Sequence, residues 1–130
     1  MFLFHATYRA NIDSIIEKGL GAEQRKNWDF SEDGAVYFAD DENVANSYCE
    51  TATDVLDEVY NSGIIVLACD ADVLDYGLLF EDERIEGTFM YFDIVPSENL
   101  LVVSQNTTTG NNEIVGKLIE LREIPDFEWN

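Results

Sequence analysis

The stretch Phe2-Leu3-Phe4-His5-Ala6-Thr7-Tyr8-Arg9-Ala10-Asn11-Ile12-Asp13-Ser14-Ile15-Ile16-Glu17-Lys18-Gly19-Leu20 decides the fold class, because its hydrophobic period changes within it. Residues 2–5 form a short apolar run of the buried-strand kind. Ile12, Ile15 and Ile16 then recur at i, i+3, i+4, the spacing of one buried helical face. Asn11 suits the N-cap, Lys18 closes the last turn, and Gly19 suits a left-handed stop. A strand running straight into a capped helix predicts an α+β beginning.

Outward from this stretch the pattern continues. Residues 21–34 lose periodicity and read as a long loop, of a length that often covers a site. Residues 35–39 (Ala-Val-Tyr-Phe-Ala) predict a second strand, and Asp40, Asp41 and Glu42 an acidic helix start that favours the macrodipole. Val44, Ala45 and Tyr48 give that helix its apolar face. Residues 64–68 are the most apolar strand candidate, and residues 70–86 read as acidic and irregular. Strands are expected at 88–92 and 100–103, with the Pro96-Ser97-Glu98 turn between them. Residues 113–124 read as strand in preference to helix, because a Thr/Asn/Gly turn precedes them. No repeat or linker interrupts the chain. The expectation is one α+β domain over 1–130, with two early helices and a strand-rich second half.

A length of 130 residues suits one core and would starve two. Seven Lys and Arg against 27 Asp and Glu leave a net charge of −20. Phosphate contact needs clustered basic residues, so this charge argues against general nucleic-acid binding and against anionic membranes. The charge is uneven: residues 1–26 carry Arg9, Lys18, Arg25 and Lys26 against Asp13, Glu17 and Glu23, a net of +1. Any anionic ligand is therefore expected at that first segment. No apolar run is long enough to span a bilayer, and the first residues lack the features of a signal peptide. Cys49 and Cys69 sit in segments that read as core, which predicts reduced thiols and a soluble cytoplasmic protein.

The single histidine, His5, has no Cys or His partner at metal-ligand spacing, so no metal site is expected. Phosphate-loop and nucleophile-elbow patterns are missing too. Taken singly, His5 and Tyr48 would read as packing residues, Tyr37 as core about as often as ligand, and Glu86 as a solvated charge.

Their order gives them more weight. Residues 4–20, a strand with His5-Ala6-Thr7 leading to a helix that ends in Gly19-Leu20, resemble the opening of the ADP-ribosyltransferase fold. Gly34-Ala35-Val36-Tyr37-Phe38-Ala39-Asp40, followed by Ala45-Asn46-Ser47-Tyr48, resembles the second motif of the poly(ADP-ribose) polymerase-like branch. The third motif of that branch is a Glu at a later strand. It is matched within Glu86-Gly87-Thr88-Phe89-Met90-Tyr91-Phe92, with Glu86 or Thr88 in the motif position.

The resemblance covers about residues 2–103 and implies a split β-sheet core that binds NAD as co-substrate across the split. It implies that His5 bonds ribose hydroxyls, that the Ala6 backbone and Thr7 hydroxyl grip the nicotinamide amide, and that Tyr37 and Tyr48 pack on its ring. It also implies that Glu86 holds a ribose hydroxyl and stabilises the positive charge that develops as the nicotinamide bond breaks. Outside the motifs, Arg9 and Arg25 are the candidates for the pyrophosphate.

The leading expectation is therefore an NAD-dependent mono-ADP-ribosyltransferase. Its acidic surface favours a basic, nucleic-acid-binding protein as target. Two other readings compete: a non-enzymatic acidic inhibitor that mimics nucleic acid, and an NAD-binding pseudoenzyme of the same fold.

Overall fold

A computed structural model describes residues 1–21, 35–41, 58, 61–83, 86–105 and 112–122. Its strands are β1 (Phe2–Tyr8), β2 (Val36–Ala39), β3 (Ile64–Asp70), β4 (Leu79–Glu81), β5 (Thr88–Tyr91), β6 (Leu101–Gln105) and β7 (Asn112–Lys117). Helix α1 spans Ile12–Lys18 and α2 spans Leu118–Arg122. The strands form one sheet in the order β4-β5-β2-β1-β3-β6-β7, antiparallel at every pairing. The α+β class holds, with the antiparallel sheet dominant. The second early helix expected after Asp41 lies outside the described residues.

Strand β1 continues past His5 to Tyr8, because β3 pairs with it along its whole length, from Phe2↔Asp70 to Tyr8↔Ile64. A 3-10 turn over Arg9–Asn11 leads into α1. Asn11 takes the N-cap position of α1, but its side chain makes no cap hydrogen bond; Nδ2 donates instead to Thr7 Oγ1 at 3.3 Å. Gly19 ends α1 at φ +91°, and its N–H donates to Ile15 O at 2.8 Å. A Cβ there would come within 2.6 Å of Ile94 Cγ2 and 3.0 Å of Val95 O, so glycine is required for approach as well as for φ. The close approach lets Leu20 and Val95 exchange both backbone hydrogen bonds at 2.9 Å.

The acidic stretch expected to be irregular contains regular pieces. The Asp70 and Asp75 carboxylates accept from the backbone N–H of Asp72 (3.0 Å) and Gly77 (2.9 Å) and so organise two 3-10 turns. The second turn delivers β4 against β5. Residues 112–122 are strand first and helix second. Leu118 N–H donates to Leu100 O at 3.0 Å, and Leu118 and Leu121 bury one helical face.

The main core lies on one face of the sheet. Leu3, Phe38, Ile65, Leu67 and Cys69 from the strands meet Ile12 and Ile15 of α1 and Leu118 and Leu121 of α2. The opposite face carries Ala6, Tyr8 and Ala39, with Phe4, Ile64 and Val66 packed against them. Cys69 is a free, buried thiol, pushed up to about 11 by burial and then by the Asp70 charge, which makes it chemically inert at neutral pH. Cys49 lies outside the described residues. Among the described residues no helix is long and apolar enough to cross a membrane.

Candidate functional site

Strands β1 and β2 are neighbours in the sheet, but among the described residues they share a single registered pair, Phe4↔Ala39. Both strands run on from that pair, β1 toward Tyr8 and β2 back toward Val36, without further register. His5 stands where the ladder stops. Its Nδ1 donates to the Tyr37 carbonyl at 2.8 Å, so a side chain makes the link that backbone pairing leaves out.

That bond sets the state of the imidazole. Nδ1 serves as the donor, which leaves Nε2 as a lone-pair acceptor in the neutral ring. Burial pushes the His5 pKa below its ordinary 6.5, and the bond to Tyr37 only partly opposes the shift. The ring is therefore neutral at pH 7. It also stands edge-on to Phe38, with centroids 5.9 Å apart, which holds its plane.

Strand alternation sorts the remaining residues. His5 shares the main-core face with Phe38, while Tyr37 shares the other face with Ala39 and is registered beside Met90. The structure therefore joins His5 and Tyr37 through the Tyr37 carbonyl, with the two rings on opposite sides of the seam. Ala6 is buried on the Tyr37 side of the sheet. Thr7 is buried on the His5 side, and its hydroxyl receives the Asn11 bond.

Glu86 is exposed in the turn before β5, two strands across from β1. Gly87, at φ +79°, allows the turn to close. Asp40 N–H donates to Gly87 O at 2.9 Å, and a Cβ on Gly87 would come within 2.6 Å of Asp40 Oδ1. Glu86 thus sits beside the exposed Asp40 and Asp41, a locally negative end of the sheet. Thr88, the other residue in the third-motif stretch, is fully buried and registered with Ala39. Of the two, Glu86 is the one open to a ligand from solvent.

Arg9 is exposed beyond the far end of β1, where its N–H donates to Gly63 O at 2.8 Å. Glu86 and Arg9 therefore flank His5 from opposite ends of the sheet. Tyr48 and Arg25 lie outside the described residues. No group of three or more His, Cys, Asp or Glu side chains among the described residues is arranged to hold a metal ion.

Two parts of the site have no signal in residue types. The Tyr37 carbonyl and the Phe38 ring both define the state of His5, yet their roles follow from the β1–β2 register alone. No protein-family model matches this chain, and no curated protein or solved structure matches it.

Proposed function

We propose that this chain is an NAD-dependent mono-ADP-ribosyltransferase acting on a basic protein, with the parted β1–β2 seam as its dinucleotide site. The observation that carries the reading is the 2.8 Å bond from His5 Nδ1 to the Tyr37 carbonyl. A neutral imidazole with a fixed tautomer presents Nε2 as an acceptor, and sugar hydroxyls are donors of matching kind. The order of the three sequence motifs supplies the rest of the support.

The residues present fit the group in kind. His5 Nε2 accepts from a ribose hydroxyl and sets the register of the dinucleotide. The Ala6 and Tyr37 side chains lie on the sheet face opposite His5, so the Tyr37 ring grips the nicotinamide end where the dinucleotide crosses the seam, while Thr7, held by Asn11, braces β1 on the His5 face. Arg9 offers a cation toward the pyrophosphate. Bound NAD supplies an electrophilic ribose carbon whose bond to nicotinamide is labile. The Glu86 carboxylate, reinforced by the negative field of Asp40 and Asp41, stabilises the positive charge that develops on that ribose. A basic target is drawn by the net charge of −20, and the same charge repels free nucleic acid.

Two readouts test this: nicotinamide release, and transfer of label from radiolabelled NAD to a lysine- and arginine-rich acceptor protein. We expect both in the native chain. Glu86→Gln should keep NAD binding and lower the rate by about 10²–10³. His5→Ala should weaken binding and turnover together. Absence of both readouts, or rates indifferent to His5→Ala and Glu86→Gln, would overturn the reading in favour of the inhibitor or the pseudoenzyme.

A further inference from the structure

One edge of the sheet carries an unusual surface. Among the described residues β4 is the terminal strand, and its partner β5 places Phe80 beside Met90. Met90 is in turn registered with Tyr37, so Phe80, Met90 and Tyr37 form a row across three strands on one face. Phe80 is 50% exposed and Phe92 37% exposed, and their rings meet edge to face at 5.7 Å. Large aromatic side chains standing open on an edge strand mark an interaction surface more often than a packing defect.

Among the described residues around this surface the charges are of one sign: Glu81, Glu83, Glu86 and Asp93 are exposed, while Arg84, between Glu83 and Glu86 in sequence, lies outside the described residues. Natural edges are commonly protected by lysine, proline or a bulge. This edge has none of these among Leu79, Phe80 and Glu81. Carboxylates still guard it against one visitor, a second copy of the same chain, because each copy brings a charge of −20.

From the terminal place of β4 among the described strands, the paired exposed rings and the acidic rim, we infer that β4 is the docking edge for an extended arginine-rich segment of a partner protein. The segment adds as a further strand on β4. In an extended chain alternate side chains fall on the same face. Arginines at i and i+2 then lie along Phe80 and Phe92, where guanidinium planes stack on aromatic faces. Glu81, registered with Phe89, stands on the other face of β4, so its charge and those of Glu83 and Asp93 draw the segment to the edge rather than pair with the stacked guanidinium groups. The row through Met90 leads from this edge to Tyr37, so β4 and β5 separate a docked segment from the candidate site. The inference rests on the basic-target part of the reading above and needs no NAD chemistry.

The test is fluorescence-polarisation binding, without NAD, of a labelled peptide in which Arg alternates with Val or Thr. Its control is the same peptide with Glu in place of each Arg. The Arg peptide should bind and the Glu peptide should not. Phe80→Ala should weaken binding about fivefold or more, and Glu81→Lys at least tenfold. Ile114→Ser, on the opposite edge strand, should leave it unchanged. All three positions are exposed, and circular dichroism checks that each variant is folded. Rescue of affinity by Phe80→Tyr, which keeps an aromatic face, would support stacking. Binding that is indifferent to Phe80→Ala and vanishes with modest salt would overturn the proposal, since general charge attraction would then explain it. Peptide binding with these dependences, but no label transfer to any acceptor, would keep the docking edge and remove the transferase reading. Label transfer indifferent to Phe80→Ala and Glu81→Lys would do the reverse.

Discussion

The seam between β1 and β2 divides the sheet into two unlike halves. On one side, β1, β3, β6 and β7 are mostly long strands in extended register, with Leu67 and Val102 at their centre and fully buried. On the other, β2, β5 and β4 are short, and Phe80 stands open at the edge. Strand length accounts for part of the contrast, because each added residue brings another rung and another cross-strand pair. Burial does not follow that division: Val36, Phe38 and Tyr91 of the short half join the same core as α1 and α2, whereas Ile114 and Val115 of β7 are exposed, so the contrast is sharpest at β4, where Phe80 and Glu81 stand open. His5 sits on the boundary, with its backbone paired to Leu67 of β3 and its ring held by the Tyr37 carbonyl.

The sharpest way to test this division is to damage each half equally. Leu67→Ala removes a fully buried side chain from the centre of β3 and should cost about 2–5 kcal/mol, read as a lowered urea midpoint. Phe80→Ala removes a larger side chain from the short half and should cost well under half of that, since its ring is 50% exposed. Similar costs for the two would show that the halves are one cooperative core and that the contrast is only of shape.

A second break targets the strap between the halves. The backbone bonds between Leu20 and Val95 tie the end of α1 to the segment after β5, and Gly19 permits them. Gly19→Ala places a Cβ at a positive φ and against Val95 O, at an expected cost of about 1–3 kcal/mol. Hydrogen exchange should show the added opening at residues 94–95 more than in β3. Uniform loss of protection would mean that the strap is not a separate unit.

The smallest effect lies at the seam itself. Burial lowers the His5 pKa in the folded chain, so the unfolded chain binds more protons in the window below 6.5. The stability contributed by the neutral ring is fully present above 6.5 and is lost as pH falls toward the lowered value. His5→Asn keeps a donor near the Tyr37 carbonyl and cannot titrate. The stability advantage of the native chain over His5→Asn should therefore narrow on acidification through this window, as urea unfolding at a series of pH values would show. A constant gap would mean that the ring is as solvated in the fold as in the unfolded chain.

Residue order alone determined the local elements of this protein. The isoleucine spacing and Gly19 gave α1 its length and its stop, and apolar runs marked β2, β3, β5 and β6, because period and turn chemistry are properties of neighbouring residues. The charge of −20 and its bias toward the later residues were equally legible. Only the tertiary structure decided which faces those side chains share. Strand alternation fixes a side chain relative to its own strand, but the β1–β2 register decides that His5 meets the Tyr37 carbonyl and Phe38 rather than the Tyr37 ring. Tertiary contact also made β4 from an acidic stretch that read as irregular, since a three-residue strand has no period of its own and exists through β5. Thr88 and Glu86 lie two positions apart in sequence; burial separates them, and burial belongs to the assembled sheet.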